Sequence, residues 1–396
     1  MKVVVVGKGA REHTLAVALG RTAEVVVTPG GPGIPGSDST DPRKLEADVF
    51  VIGPEKELVE GWADDLRAQN KLVLGPGADG AKLEGSKIWM KELLREAGVP
   101  TASFGAFWPD HRQEAERFLR SMAPPWAIKT DYLAAGKGVL VTSELDQAIA
   151  DVRAKLQKGA IVIEEGLIGR ELSFFALCWG SGYIFLPSAQ DYKRLLNGDK
   201  GPNTSGTGAY SPVPNAPGHE IFGPIVDATL KELRRRGIDY RGILYGGVML
   251  TADGVKVLEY NVRFGDPETQ VTLPRIEGDL AELFRCVAAG QAVEEVTTRD
   301  ACVTVVLASE GYPTEPKTGD VINGIEWAEA IDGVTVYHAG TARDDRERLV
   351  TAGGRVLSVT AQAETIPKAR ALAYQAVRRI HFHGMQYRSD IAADVE

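Results

Sequence analysis

The segment VKVLEYNVR, residues 255–263, begins as an apolar β-strand and ends in polar and charged side chains. It follows another apolar run, residues 243–251, after an Asp253-Gly254 turn, an arrangement typical of a β-hairpin. Side chains two apart on a strand point to the same face. We therefore expect one face of this strand to carry Val255, Val257, Glu259, Asn261 and Arg263.

The polar end of this strand has the chemistry of a metal site. The carboxylate of Glu259 and the amide oxygen of Asn261 suit a hard cation such as Mg²⁺, which takes its remaining ligands from water or phosphate. Arg263 can neutralise charge on a transferred phosphoryl group or bind a carboxylate. The alternative is an exposed strand end with an ordinary surface Glu–Arg pair, and the spacing by itself does not decide between the two.

The N-terminus predicts a doubly wound parallel α/β domain. Four valines, residues 3–6, precede the turn and helix start GKGAREH, residues 7–13, and further strands are expected at residues 24–27, 49–52 and 72–74. Glu12 occupies the third glycine position of GxGxxG, which disfavours NAD binding. Gly9 and Arg11 at a helix start can still hold a phosphate, the alternative being a packing turn with a surface arginine.

The central part of the chain predicts antiparallel hairpins and a phosphate lid. The sequence LAAGKG, residues 133–138, connects strands expected at residues 126–129 and 139–141, and its small residues allow backbone N–H groups to approach an anion. The alternative is an ordinary glycine-rich hairpin loop. The acidic connection that begins at Glu164 can present groups to adenine and ribose, or it can be a solvated turn.

The remaining sequence predicts a long loop and a third domain. Residues 191–217 lack hydrophobic periodicity, and long loops of this kind are usually functional. Apolar runs and a final helix predict a small β-rich C-terminal domain. The expected division is an N-terminal domain at residues 1–90, a central domain at residues 91–290 with a lid subdomain at about 106–187, and a C-terminal domain at residues 291–396.

The composition is that of a globular protein. The 396 residues are 44% hydrophobic and 25% charged, and the formal net charge of −9 disfavours nucleic-acid binding. The cysteines Cys178, Cys286 and Cys302 show no metal or redox spacing. We find no apolar run long enough for a membrane span and no signal-peptide pattern, so we expect a cytoplasmic protein.

Several motifs, in order along the chain, resemble the ATP-grasp superfamily and, within it, the glycinamide ribonucleotide synthetases, also called phosphoribosylamine–glycine ligases. The motifs are VGKGAREH at residues 6–13, LEGSK at 83–87, LAAGKGV at 133–139, GPNT at 201–204, GAYSP at 208–212, EYNVRFGDPETQ at 259–270, TGDVI at 318–322 and HAGT at 338–341. They extend over most of the chain.

The resemblance implies a central ATP-grasp fold of two antiparallel α+β subdomains and a defined reaction. ATP phosphorylates the carboxylate of glycine, and the amine of 5-phosphoribosylamine attacks the glycyl phosphate, giving glycinamide ribonucleotide, ADP and phosphate in de novo purine biosynthesis. The implied cofactors are ATP and Mg²⁺ or Mn²⁺. The implied partners are these small-molecule substrates, without nucleic acid or membrane, for a monomer or weak homodimer.

The resemblance also implies roles for individual residues. Glu259 and Asn261 would ligate the metal, and Arg263 with Asp191 would orient glycine and its acyl phosphate as catalytic residues. ATP would bind at Lys87, Lys129, Gly136, Lys137, Gly138, Glu164, Leu167 and Glu171. Phosphoribosylamine and glycine would bind at Gly9, Arg11, Glu12, Asn203, Thr204, Asp266 and Glu268.

Three other functions compete with this interpretation. An ATP-grasp ligase could act on another substrate pair, such as bicarbonate or a different amino acid. A catalytically silent nucleotide-binding protein would bind ATP without turnover. A nicotinamide-dependent oxidoreductase would use the first strand and turn.

Overall fold

The computed structural model describes residues 1–133 and 138–395. Its N-terminal region consists of β1 (Lys2–Gly7), α1 (Ala10–Leu19), β2 (Glu24–Pro29), a 3₁₀ turn (Pro42–Lys44), β3 (Val49–Ile52), α2 (Glu55–Val59), α3 (Trp62–Ala68), β4 (Val73–Leu74) and α4 (Ala78–Gly85). The strands form a parallel sheet in the order β2-β1-β3-β4. The valines of β1 are buried, as continuous apolar strands are in parallel sheets with helices on both faces. This confirms the expected doubly wound domain.

A second sheet forms the lid subdomain. Helix α5 (Lys87–Ala97) leads to β5 (Phe104–Phe107), α6 (Arg112–Ser121), β6 (Trp126–Thr130), β7 (Val139–Thr142), α7 (Leu145–Leu156) and β8 (Ile161–Glu165). These strands pair antiparallel in the order β5-β8-β6-β7, and α6 and α7 share a separate hydrophobic core with them. We refer to β5–β8 as the lid sheet.

The next segment contains β9 (Arg170–Trp179), β10 (Tyr183–Asp191), β11 (Arg194–Leu196), β12 (Lys200–Asn203) and β13 (Gly208–Ser211), of which β9, β10 and β13 belong to the largest sheet. It continues with α8 (His219–Arg235), β14 (Arg241–Thr251), β15 (Gly254–Asn261), α9 (Thr269–Thr272), a 3₁₀ turn (Leu273–Arg275) and α10 (Leu280–Ala288). The expected loop at residues 191–217 therefore contains strands. β11 and β12 form a small hairpin, and β13 pairs with β10, so backbone pairing orders a segment that has no apolar periodicity.

The C-terminal part comprises β16 (Ala301–Ala308), α11 (Ile325–Glu329), β17 (Val334–His338), β18 (Thr341–Arg343), β19 (Leu349–Thr351), β20 (Arg355–Ala363) and α12 (Ile366–Val377). The expected β-rich domain is present, but β16 pairs with β13, so its sheet continues the central one. The full order is β15-β14-β9-β10-β13-β16-β20-β17. We refer to it as the large sheet.

The lid sheet ends at Glu165, and β9 pairs with β14 of the large sheet. The expected lid range of about 106–187 therefore extends beyond the lid sheet into β9 and β10. Within residues 1–133 and 138–395, none of the helices combines the length and the apolar character that a membrane crossing requires.

Candidate active site

A cleft of about 590 Å³ lies between the lid sheet and the large sheet. It brings together residues as far apart in the sequence as Arg11 and Arg355. Its lining includes the predicted site residues Arg11, Lys87, Lys129, Gly138, Glu164, Leu167, Glu171, Asp191, Asn203, Thr204, Glu259, Asn261, Arg263, Asp266 and Glu268. Gly136 and Lys137 lie outside the described residues. Of the predicted residues that are described, Gly9 and Glu12 are not part of this lining.

The strand β15 reaches the cleft through a β-bulge. Gly247 on β14 pairs with Glu259, whereas the next residue of β14 pairs with Val257, so Leu258 is the extra residue. A bulge places one additional residue on one strand and reverses the alternation beyond it. Val257 is accordingly packed in the hydrophobic core, while Glu259 lines the cleft. The prediction that Val257 shares a face with Glu259 is wrong for this reason, although Glu259, Asn261 and Arg263 do line the cleft together.

Glu259 is an ionised carboxylate among cations. Its carboxylate accepts no hydrogen bond and forms no ion pair within 4 Å from any residue in the described part of the chain. Burial acts to raise the pKa of Glu259, but nearby cations, Lys87 first and then Lys193, outweigh burial and lower it. A negatively charged oxygen pair that lacks a close protein partner fits a bound cation.

No group of three or more His, Cys, Asp or Glu side chains within residues 1–133 and 138–395 is arranged to hold a metal ion. Glu259 and Asn261 therefore supply at most a partial set of ligands. Mg²⁺ is commonly bound by one or two protein oxygens together with substrate phosphates and water. This donor set thus fits a metal that is shared with a phosphate ligand.

Arg263 is held by two carboxylates that the sequence analysis did not identify. Its Nη2 atom donates to Glu84 Oε1 at 2.8 Å, and its Nε atom donates to Glu55 Oε2 at 3.3 Å. Nη2 also donates to Asn261 Oδ1 at 3.1 Å. Burial acts to lower the pKa of Arg263, but the negative charges of Glu84 and Glu55 outweigh burial and raise this pKa above its usual value. The guanidinium is therefore a fixed positive charge beside the proposed metal ligands.

The opposite wall of the cleft carries two lysines. Lys87 is the first residue of α5, directly after the N-cap Ser86, whose hydroxyl accepts a hydrogen bond from a backbone N–H of the first turn. Lys129 lies on β6, and its Nζ atom is 2.9 Å from Glu164 Oε1 and 3.2 Å from the carbonyl oxygen of Leu258. The helix start and the two ammonium groups together provide positive charge for phosphate oxygens.

A third lysine, Lys193, lies among acidic residues on the large sheet. Its Nζ atom is 2.9 Å from Asp191 Oδ2 and 3.1 Å from Glu171 Oε1. Burial acts to lower the pKa of Lys193, but Asp191 and Glu171 raise it well above its usual value. Asp191, which was expected to be a catalytic residue, therefore lies in an ion-pair network with a lysine that lines the same cleft.

Glu268 is a buried carboxyl group at the base of the cleft. Tyr245 donates its hydroxyl hydrogen to Glu268 Oε1 at 2.6 Å, and the Tyr245 oxygen is also 2.9 Å from Ser173 Oγ. Burial raises the pKa of Glu268 to about 7, and the negative charge of Asp191 is the second contribution to this increase. Near neutral pH this group is therefore able to donate or accept a proton.

The N-terminal turn is organised around Glu12. Its carboxylate accepts hydrogen bonds from the Gly9 N–H at 2.7 Å and from Arg11 Nε at 2.6 Å. A Cβ atom on Gly7 would lie 2.4 Å from Glu12 Cγ, and the φ angle of Gly7 is +133°, so this position favours glycine; a Cβ atom on Gly53 would lie 2.1 Å from Glu12 Oε1 and would displace the carboxylate. Glu12 thus stabilises the turn through hydrogen bonds without lining the cleft. Arg11 is the residue of this motif that lines the cleft.

The C-terminal region contributes Arg355. Its Nη2 atom is 2.9 Å from Asp266 Oδ2, and its Nη1 atom donates to the carbonyl oxygens of Ser205 and Asp266, each at 2.8 Å. Thr204 in turn donates to the carbonyl oxygen of Lys193 at 2.8 Å. Arg355 therefore connects the expected substrate loop with the segment that follows β15.

Sequence reasoning missed Glu55, Glu84, Lys193, Tyr245 and Arg355. Glu84 lies in a quoted motif, LEGSK, and Lys193 follows Asp191 by two residues, so proximity to expected site residues was an available signal. Glu55 follows the end of β3, where ligands commonly bind in parallel sheets. Arg355 had no local signal, because its position depends on the pairing of β16 with β13 and β20.

The chain matches the family models for all three domains of phosphoribosylglycinamide synthetase. The N domain matches residues 1–84, the ATP-grasp (A) domain residues 85–269 and the C domain residues 302–394. The phosphoribosylamine–glycine ligase of Leifsonia xyli subsp. xyli is 43% identical, with 99% of this chain and 100% of the relative covered.

Two solved structures share the fold of this chain. The biotin carboxylase domain of the 2-oxoglutarate carboxylase from Hydrogenobacter thermophilus has a TM-score of 0.72 at 16% identity, covering 98% of this chain and 91% of that chain. The family model that matches residues 85–269, an ATP-grasp (A) domain, identifies the chain as an ATP-grasp protein. The phosphoribosylamine–glycine ligase from Thermotoga maritima has a TM-score of 0.87 at 34% identity, covering 99% of this chain and 100% of that chain. The chain belongs to the phosphoribosylglycinamide synthetase family.

Proposed function

We propose that this chain ligates glycine to 5-phosphoribosylamine with ATP, through glycyl phosphate, to give glycinamide ribonucleotide, ADP and phosphate in de novo purine biosynthesis. The observation that carries the proposal is the full-length match to a phosphoribosylamine–glycine ligase at 43% identity. The cleft is consistent with this reaction because its lysines and arginines can hold several anionic groups together.

The proposed cofactors are ATP and a divalent metal ion, Mg²⁺ or Mn²⁺, held by Glu259 and Asn261. When bound, the metal would neutralise charge on the phosphate oxygens. Support comes from Glu259. Burial acts to raise its pKa, but nearby cations outweigh burial and lower the pKa, so the side chain is a negatively charged carboxylate that suits a cation. Arg263 lies beside this pair and provides a further positive charge where a phosphoryl group meets a carboxylate.

The proposed ATP site occupies the lid side of the cleft. Lys87 and Lys129 would bind phosphate oxygens, and Gly136, Lys137 and Gly138 are further proposed ATP contacts. Leu167 would contact the adenine, while Glu164 and Glu171 would frame the nucleoside. Both oxygens of Glu164 already lie within ion-pair distance of a lysine, Oε2 near Lys91 and Oε1 near Lys129.

The proposed substrate sites occupy the other side. Arg263 and Asp191 would orient glycine and its acyl phosphate, which brings the carboxylate and the phosphoryl group together and reduces the entropic cost of their reaction. The proposed phosphoribosylamine and glycine contacts are Gly9, Arg11, Glu12, Asn203, Thr204, Asp266 and Glu268. Because Glu12 accepts hydrogen bonds from the Gly9 N–H and from Arg11, its proposed contribution is to hold these two residues in position.

We further propose that the chain acts in the cytoplasm as a monomer or weak homodimer, on small-molecule substrates and without nucleic acid or membrane. The proposed domain limits are residues 1–90, 91–290 and 291–396.

The function is tested by measuring ADP release from the purified protein while substrates are omitted one at a time. We expect ADP to form only when glycine and phosphoribosylamine are both present, and we expect the mass of glycinamide ribonucleotide in the product. Full activity with bicarbonate or another amino acid in place of glycine would refute the proposal.

A further inference from the structure

A lysine without a role in the proposed site is fully buried behind the cleft. Lys91 lies on α5, one turn after Lys87, and its side chain is 0% exposed. Its Nζ atom donates to Thr101 Oγ1 at 2.7 Å and to Glu164 Oε2 at 2.8 Å. Burying a charged ammonium group costs free energy unless the group is paired, so Thr101 and Glu164 are needed to keep Lys91 charged at this position.

Glu164 is shared between two lysines. One carboxylate oxygen, Oε2, pairs with Lys91, and the other, Oε1, lies 2.9 Å from Lys129 Nζ. Lys129 also donates to the carbonyl oxygen of Leu258, the bulge residue next to Glu259. The group of two lysines and one glutamate carries a net charge of +1, and only Lys129 and Glu164 line the cleft.

The same lysine is connected to the strand that carries the proposed metal ligands. Thr101 donates its hydroxyl hydrogen to the carbonyl oxygen of Val257 at 2.6 Å, and the two residues form a β-bridge. Lys91 thus joins three elements: α5, the lid sheet through Glu164, and β15 through Thr101. These elements hold Lys87, Lys129 and Glu259 respectively.

We propose that Lys91 is a positioning residue that keeps Lys129 available to the nucleotide phosphates, an inference that rests on the proposed use of ATP. With Lys91 in place, Glu164 has one oxygen for each lysine. Without it, Glu164 would have both oxygens free for Lys129, and the remaining pair would be neutral. The phosphates would then meet a lysine whose charge is already compensated by a bidentate partner.

The test is the affinity for a non-hydrolysable ATP analogue with Mg²⁺, measured by titration calorimetry, so that the result does not depend on turnover. Lys91→Met removes the charged hydrogen bond from Lys91 to Glu164, so we expect binding of the ATP analogue to weaken roughly tenfold or more. The KM for glycine should change less than about twofold, which a general loss of structure would not produce.

A matched control is Lys155→Met on α7. Lys155 is also largely buried, pairs with Asp151 and donates to the carbonyl oxygen of Ile128 on the same strand as Lys129, but it is not part of the cleft lining within the described residues. We expect its loss to lower thermal stability and to leave nucleotide affinity within about twofold.

A double variant separates positioning from simple support. In Lys91→Met with Glu164→Gln, the side chain at position 164 no longer carries the charge that attracts Lys129, so nucleotide affinity should rise above that of Lys91→Met, while it stays below that of the wild type because Glu164 is also a proposed nucleoside contact. An affinity that is equal to or lower than that of Lys91→Met would overturn the inference.

If Lys91→Met does not fold, Thr101→Val provides the second measurement. It removes the hydroxyl that connects Lys91 to β15, and we expect nucleotide affinity to fall about threefold or more with an unchanged KM for glycine. Unchanged nucleotide affinity in this variant would count against the inference. A wild-type protein that binds the analogue but makes no glycinamide ribonucleotide would instead refute the proposed function.

Discussion

Replacing Glu84 with glutamine tests whether Arg263 acts from a fixed position. Glu84 accepts from Arg263 Nη2 through one oxygen at 2.8 Å and from the Val262 N–H through the other at 2.9 Å. Glutamine retains one acceptor oxygen, but its amide group must face one of these two donors. The variant therefore removes a negative charge and one hydrogen bond with little change in volume.

The size of the effect follows from the contacts that remain. A hydrogen bond between charged groups contributes about 1.5–3 kcal/mol. Arg263 keeps Glu55 and Asn261 as partners. We therefore expect a loss of about 2 kcal/mol in transition-state binding, which is roughly a thirtyfold lower kcat/KM for glycine.

The assay measures ADP release at saturating ATP and phosphoribosylamine while glycine is varied. Glu60→Gln, at an exposed surface pair with Lys56, is the control and should behave like the wild type. A folded Glu84→Gln variant with kcat/KM for glycine within about twofold of the wild type would refute the idea that Glu84 positions Arg263.

Three further outcomes are expected. Glu259→Ala should lower kcat by roughly a hundredfold or more, as judged by ADP release at saturating substrates, and a near-normal rate would remove it from the site. The pKa of Glu268 is raised by burial to about 7, so the wild-type free energy of unfolding should fall as pH rises from about 4.5 to 7. Glu268→Gln should flatten this decrease in thermal unfolding curves, whereas Glu294→Gln, at an exposed position, should not. Burial lowers the pKa of His13 to about 3, so the contribution of the neutral imidazole to stability is full above about pH 6.5 and is lost as pH falls. His13→Asn should therefore make the protein less sensitive to acid. An unchanged midpoint of acid unfolding in this variant would contradict the expectation.

The parts of the structure that were predicted from sequence are those with local signals. The buried valines of β1 followed by a glycine turn gave the N-terminal parallel sheet, and the Asp253-Gly254 turn gave the β14–β15 hairpin. The alternation of Glu259, Asn261 and Arg263 was sufficient to place all three in one cleft. In each case neighbouring residues determine the geometry.

The parts that were missed depend on distant partners. The bulge at Leu258 arises from how β15 pairs with β14, and no residue type near it marks an extra position. The strand β13 lacks apolar periodicity, and its position is set by pairing on both sides, with β10 and β16. Glu84 and Arg355 act on residues about 180 and 90 positions away, so their partners are visible only in the folded chain.

The most direct test of the central claim follows an oxygen atom. If the cleft joins the glycine carboxylate to the terminal phosphoryl group of ATP, glycine labelled with ¹⁸O in its carboxylate should transfer one ¹⁸O atom to the inorganic phosphate that is released. We predict labelled phosphate in an amount equal to the glycinamide ribonucleotide formed. Unlabelled phosphate, in a reaction that still consumes ATP and forms product, would contradict a glycyl phosphate in this cleft.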